Sequence, residues 1–370
     1  MVLNAILNAG ILGATVGSIV NDVTKGKQDF SKQLTVSMIT GVGGNSGGSV
    51  PHVAIWDEHG NRISQYKGDE NGHVDEGSTK TVYLDPYQND GKIARPDYLL
   101  IVMQETDAVC LSAIMATGAN AQYTWTGDYG YTCGAQWYNS KEGIAGSNKP
   151  VKCVWLDSDH TNGIVAKGLS LHMPDFAPDA GIIEQYNMDQ ARLCQNTARM
   201  TFQPEPVVPD SGVIFFDPPL EYMEDPVGAL KKPDQGIDRR TRAYPDGTNM
   251  KIKDAKRRHV RDLPKRNLNV RGVKNNRADH LVISDIEGHS ARELCEHPNS
   301  LGPDFVHKRE KVFCDMETAD WWPLCDEDNT EGCFDLKDRA IKGFEPGSLA
   351  ARSAKAKRIV PKNYSSHEEW

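Results

Sequence analysis

The sequence predicts a mainly β protein: an N-terminal β-sandwich followed by a small C-terminal module stapled by disulfides. Three observations predict it. Short apolar runs, most of them alternating, recur between turn residues from Leu34 to about Met173. The chain carries 33 Gly and 20 Pro in 370 residues, too many for a helical bundle or a coiled coil. Eight cysteines occur, with none at Cys-x-x-Cys spacing, and the last four crowd into a turn-rich stretch.

The strands follow in order. Leu34 to Met38 alternates and is broken by the glycine cluster Gly41 to Gly48. Val53 to Trp56 alternates and ends in the turn signal Asp57-Glu58-His59-Gly60-Asn61. Val82 to Leu84, Tyr98 to Met103 and Val109 to Met115 come next. Tyr98 to Met103 is apolar throughout, as a strand buried on both faces would be. Tyr123 to Trp125, Val154 to Leu156 and Leu169 to Met173 complete seven or eight short strands, spaced for a sandwich, with a closed barrel as the alternative. Ile183 to Met200 reads as a helix.

The chain divides into an N-terminal apolar segment (1–30), a sandwich domain (31–200), a Pro-rich then basic linker (201–278), a small cysteine-linked module (279–340) and a basic tail (341–370). Met1 to Val20 is interrupted by Asn4 and Asn8 and has no Lys or Arg before Lys25, so it makes a poor secretory signal and a poor membrane span. An amphipathic helix there would put Leu3, Ile6, Leu7, Ile11 and Leu12 on one side and permit membrane contact or self-association. The formal net charge is −9, yet Arg239 to Arg277 holds 14 Lys/Arg against three acids. That stretch has one aromatic residue, Tyr244, which argues against specific nucleic-acid readout. It reads as a solvated linker, with dibasic sites at Lys256-Arg257-Arg258 and Lys265-Arg266 for a processing protease.

Gly44-Asn45-Ser46-Gly47-Gly48 matches the G-x-S-x-G elbow of a hydrolase. The elbow needs a strand before the Ser and a helix after it, but Val50 to Ile55 reads as a strand. The trypsin-like order needs a preceding His, and the first histidine is His52. A phosphate cradle needs a Lys-Ser/Thr pair that is absent here. The glycines therefore serve turns. Asp157, Asp159 and Asn162 crowd one loop with oxygen ligands suited to calcium, although an Asx turn accounts for the same residues. No other cofactor is called for. Trp125, Asp128, Trp137 and Tyr138 gather near Cys133: exposed they would bind a sugar or a protein, buried they would cover a disulfide. Cys110, Cys133, Cys153, Cys194, Cys295, Cys314, Cys325 and Cys333 are disulfide candidates of open connectivity, which places the chain in an oxidising compartment.

Several segments together resemble a widespread, uncharacterised group of cysteine-containing secreted proteins of filamentous ascomycete fungi. They are Asp107 to Cys110, Trp125 to Asp128 with Cys133-Gly134 and Trp137-Tyr138, and Cys153 to Asn162. In the C-terminal half they are Leu294-Cys295, Gly302 to Val306, Cys314 to Met316, Trp322 to Cys325, Gly332 to Phe334 and Glu368 to Trp370. The resemblance implies an extracellular or cell-surface setting and no defined reaction. At fold level only, the sandwich is similar to PLAT-type domains. The expected function is non-enzymatic binding of a partner or polysaccharide. The alternatives are a cell-wall hydrolase acting through Asp128, Asp157 and Asp159, and a self-assembling or membrane-touching protein.

Overall fold

The computed structural model describes residues 33–68, 72–143, 149–190, 192–205, 213–216, 277–346, 348, 353 and 359–370. The apolar segment 1–20 and both dibasic sites lie outside them.

The N-terminal half holds thirteen strands: β1 (Thr35–Thr40), β2 (Gly48–Ser49), β3 (His52–Trp56), β4 (Arg62–Tyr66), β5 (His73–Val74), β6 (Thr79–Tyr83), β7 (Tyr98–Val102), β8 (Val109–Gly118), β9 (Ala121–Thr126), β10 (Trp137–Gly143), β11 (Pro150–Leu156), β12 (Gly168–His172) and β13 (Met200–Gln203). One sheet runs β10-β11-β8-β1-β6, with β9 on β8; the facing sheet runs β13-β12-β7-β3-β4. Alternate residues of both sheets meet in one core: Val36, Met38, Ile114 and Trp125 from the first, and Val53, Ile55, Leu99, Ile101 and Leu169 from the second. All five residues of β7 are buried, for a reason legible in its unbroken apolar run. Leu99 and Ile101 face the sandwich core, while Tyr98, Leu100 and Val102 face Val213, Phe215 and Phe216, which strap the outer face of the second sheet.

Helix α1 (Gly127–Thr132) follows β9 directly. The helix expected over Ile183–Met200 is instead two short ones, α2 (Ala180–Met188) and α3 (Arg192–Gln195), and Met200 opens β13. Asp179 caps α2, its carboxylate accepting from the Gly181 and Ile182 amides, so the helix starts earlier than its apolar pattern suggests.

The C-terminal half contains β14 (His280–Ser284), α4 (Ala291–Glu296), β15 (Asp304–His307), β16 (Val312–Asp315), β17 (Asp320–Pro323), β18 (Cys333–Asp335), β19 (Ala340–Lys342) and β20 (Ser366–Glu369). Its sheet runs β17-β16-β15-β14-β20, so residues expected as a tail supply an edge strand, parallel to β14.

All eight cysteines are paired: Cys110–Cys153, Cys133–Cys194, Cys295–Cys314 and Cys325–Cys333. Two bonds lie in each half and none joins the halves. A shared core joins them instead, in which Cys110, Trp137, Tyr138, Cys153 and Trp155 meet Val282, Leu294, Cys295, Phe305, Cys314 and Trp370.

Candidate functional site

The aromatic residues singled out in the sequence are enclosed. Trp125 sits in the sandwich core, its indole N–H directed at the Met200 sulfur at 3.3 Å. Trp137 and Tyr138, at the start of β10, lie in the seam between the halves. The Trp137 indole donates to His297 Nδ1 at 2.9 Å, the Tyr138 hydroxyl donates to the Pro303 carbonyl at 2.9 Å, and Trp155 donates to Leu301 O at 2.8 Å. Strand β10 would otherwise end its sheet as an open edge. Residues 299–301 pair with it through Trp137 N to Asn299 O (3.0 Å) and Leu301 N to Trp137 O (2.9 Å). These rings therefore build the joint and present no stacking face to a ligand.

Asp128, in the first turn of α1, is partly buried, and burial pushes its carboxyl up to about 6 against the pull of the Lys152 ammonium. Lys152 lies over the rings of Tyr131 (4.6 Å) and Trp137 (4.7 Å) and reaches Glu293 across the seam at 3.4 Å. The Tyr131 hydroxyl donates to the same Glu293 carboxylate at 2.6 Å. Asp128 thus belongs to the surroundings of the joint. Asp157 is buried and accepts from Thr161 Oγ1 at 2.9 Å, while Asp159 accepts from the Thr161 amide at 3.1 Å. Asn162 sits at φ 52° in the same tight turn. This is the Asx-turn arrangement. Among the described residues no group of three or more His, Cys, Asp or Glu is arranged to hold a metal ion.

The glycine loop has a structural task. Gly43 and Gly44 take φ of 80° and 68°, and a Cβ on Gly43 would collide with the Trp370 ring. The Gly44 amide donates to Glu368 Oε1 at 2.7 Å. Ser46 is buried and its hydroxyl donates to the Gly41 carbonyl. The loop is a cradle for β20 and Trp370.

Sequence reasoning missed two buried charge clusters and one surface feature. His172, at the end of β12, is sealed from solvent between Asp175 (3.0 Å from Nδ1) and Glu58 (2.9 Å from Nε2), and Arg199 pairs with Asp175. Burial opposes the imidazolium, but hydrogen bonds to Asp175 and Glu58 outweigh it and hold His172 up at about 9. Phe216 covers the cluster, with its ring 5.3 Å from that of His172 and its amide donating to the Tyr98 hydroxyl at 2.9 Å. In the C-terminal half, Lys362 lies among Asp304, Asp315 and Glu317. No spacing rule could have joined either set, since their members are dispersed along the chain.

The surface feature is a pair of tyrosines. Tyr83 ends β6, the outermost strand of its sheet, and is 67% exposed; Tyr87, four residues on, is 52% exposed. The loop between them is held by Leu84 N to Leu34 O (2.8 Å), Ser64 Oγ to Asp85 O (2.5 Å) and Gly91 N to Pro86 O (3.1 Å). Both rings are therefore presented to solvent from fixed backbone. A Tyr-x-x-x-Tyr spacing at a strand end was the available signal, hidden because Tyr83 lies within the run read as a strand.

The geometry defines a disulfide-stapled β-sandwich fused through a common core to a second β module. Comparison of the chain with protein-family models, with curated proteins and with solved structures gives no match, so the PLAT-type analogy receives no support from that side.

Proposed function

We propose that the chain is a secreted or cell-surface, non-enzymatic protein of the fungal group that it resembles, and that its sandwich binds a polysaccharide through Tyr83 and Tyr87. The observation that carries this reading is the exposure of both rings on a braced sheet edge. A tyrosine offers an apolar face to the C–H surface of a sugar and a hydroxyl to its polar rim. Its two χ angles cost little entropy to fix. The extracellular address is supported by four disulfides that use every cysteine, a pattern that reducing compartments do not sustain. No helix among the described residues is long and apolar enough to cross a membrane.

The test is a pull-down of the full chain on insoluble β-glucan, chitin and mannan, compared with the Tyr83→Ala/Tyr87→Ala double variant. The wild type should be retained on at least one polymer. The double variant should bind about tenfold more weakly or worse with an unchanged melting temperature. Equal retention of both proteins, or retention of neither, overturns the reading.

A further inference from the structure

Lys362 is an unusual lysine. Its side chain is 3% exposed, and the two carboxylates nearest to it belong to Asp304 and Asp315, which are 0% and 1% exposed. Nζ lies 3.1 Å from Asp304 Oδ2 and 2.7 Å from Asp315 Oδ1, with the half-exposed Glu317 at 3.5 Å. The three groups come from separate elements. Asp304 opens β15 and Asp315 closes β16, each one position beyond the paired Phe305 and Cys314, and Lys362 is carried by the segment that leads into β20. Phe313, Trp322 and Phe334, with the partly buried Ile359 and Tyr364, form the neighbouring apolar cluster.

The two aspartates are not equivalent. Both oxygens of Asp304 accept hydrogen bonds, Oδ2 from the Tyr364 hydroxyl at 2.6 Å and Oδ1 from the Met316 amide at 2.8 Å. Asp315 Oδ1 takes the amides of Glu317 (3.0 Å) and Thr318 (3.2 Å), whereas its buried Oδ2 has no hydrogen-bond partner among the described residues. Two buried carboxylates and one ammonium leave an excess negative charge in an apolar setting, which is costly. Burial, reinforced by Asp315 and opposed by Lys362, pushes Asp304 up to about 6. Protonating Asp304 removes the excess, and it also converts a carboxylate into an electrophile.

We propose that Lys362 and Asp304 condense to an intramolecular amide, with Asp315 as the proton acceptor. Asp315 removes a proton from the Lys362 ammonium, and the freed Nζ attacks Cγ of protonated Asp304. The Tyr364 hydroxyl and the Met316 amide donate to the carboxyl oxygens as negative charge develops there. The Cγ–N bond forms and the Cγ–OH bond breaks. The departing hydroxide takes the proton held by Asp315, and the tetrahedral centre collapses with loss of the second amine proton to solvent through Glu317. Counted from the ammonium and the carboxylate, the products are one amide and one water, so no oxidant, reductant or activating group is needed. The carboxylates keep most of the amine protonated, which makes the step slow. It is nevertheless unimolecular, and groups fixed in contact behave as though at very high concentration. The bond would tie the segment carrying β20 and Trp370 to the centre of the C-terminal sheet, a cross-link that reduction leaves intact.

Peptide mapping of the full chain, reduced, alkylated and digested with trypsin, decides the matter. If the amide forms, cleavage after Lys362 is blocked. The peptide Ile359–Trp370 then appears joined to Glu293–Lys308, lighter by one water than the sum of the two. Recovery of free Ile359–Lys362 and Asn363–Trp370 as the main products overturns the proposal. A join to Val312–Lys337, the peptide holding Asp315, overturns the assigned roles. Lys362→Arg keeps the charge and must abolish the joined peptide. Asp315→Asn must abolish it as well, in protein whose Cys295–Cys314 and Cys325–Cys333 bonds show that the module has folded.

Discussion

Ala119 and Asn120 turn the β8–β9 hairpin with φ of 48° and 65°, directly between the paired Gly118 and Ala121. Two consecutive left-handed residues make the turn whose twist matches the flanking strands, and alanine is a strained choice for the first. Ala119→Gly should therefore stabilise the protein by about 0.5–1 kcal/mol, read as a higher denaturation midpoint at unchanged slope. Gly43 gives the opposite case. Its φ of 80° and the Trp370 ring both exclude a Cβ, so Gly43→Ala should cost more than about 2 kcal/mol, with the loss read by the same titration. The sequence shows that the Gly41–Gly48 glycines serve backbone geometry. It does not show what approaches them, because Trp370 lies more than 300 residues away. The tryptophans were similarly half-legible: a ring near a cysteine is foreseeable, but the burial of Trp137 depends on His297 and Leu301, which no local pattern connects to it.

At the scale of elements, strands are legible where apolar residues alternate or run unbroken, as in β3, β7 and β12. They are hidden where polar side chains fill an edge strand, as in β4 and β10. The four disulfides enclose 61, 43, 19 and 8 residues of sequence separation. Loop-closure entropy gives the longest about 4 kcal/mol and the shortest about 2.5 kcal/mol. Paired Cys→Ser substitutions should lower stability in that order, with Cys133/Cys194 the most damaging, as followed by thermal unfolding of each double variant. The His172 cluster links β12 to the strap at Phe215–Phe216, and its pH dependence has a definite sign. The folded value of about 9 stands above the ordinary 6.5. The contribution is complete below pH 6.5 and is lost as pH rises through 9, at a cost on the order of 3 kcal/mol. Asp97 and Asp128, pushed up by burial to about 6, are already mostly ionised at pH 6.5, so only the tail of their titration, on the order of 0.2 kcal/mol apiece, falls in that window. The melting temperature should fall between pH 6.5 and 9 in the wild type and should stay nearly flat there in His172→Gln.

For the whole molecule, the decisive fact is that the halves share a core and share no covalent bond besides the chain itself. Composition revealed two cysteine-containing bodies, but their docking rests on contacts between residues such as Tyr138 and Pro303, or Gly44 and Glu368, that only the folded chain brings together. Trp370 closes this seam, its ring 5.4 Å from His289, 5.7 Å from Phe305 and 6.4 Å from Tyr138. Because that interface belongs to the interior of both bodies, the wild type should unfold in one cooperative calorimetric transition. Trp370→Ala leaves all four disulfides in place and empties the centre of the seam, at a cost of about 3–5 kcal/mol. Each half retains its own sheets and two disulfides, so the loss should fall on coupling between the bodies. The variant should show two separate transitions, the lower accompanied by exposure of the Trp137 and Trp155 fluorescence to quencher. A single transition at the wild-type temperature would mean that the seam contributes nothing to holding the halves together.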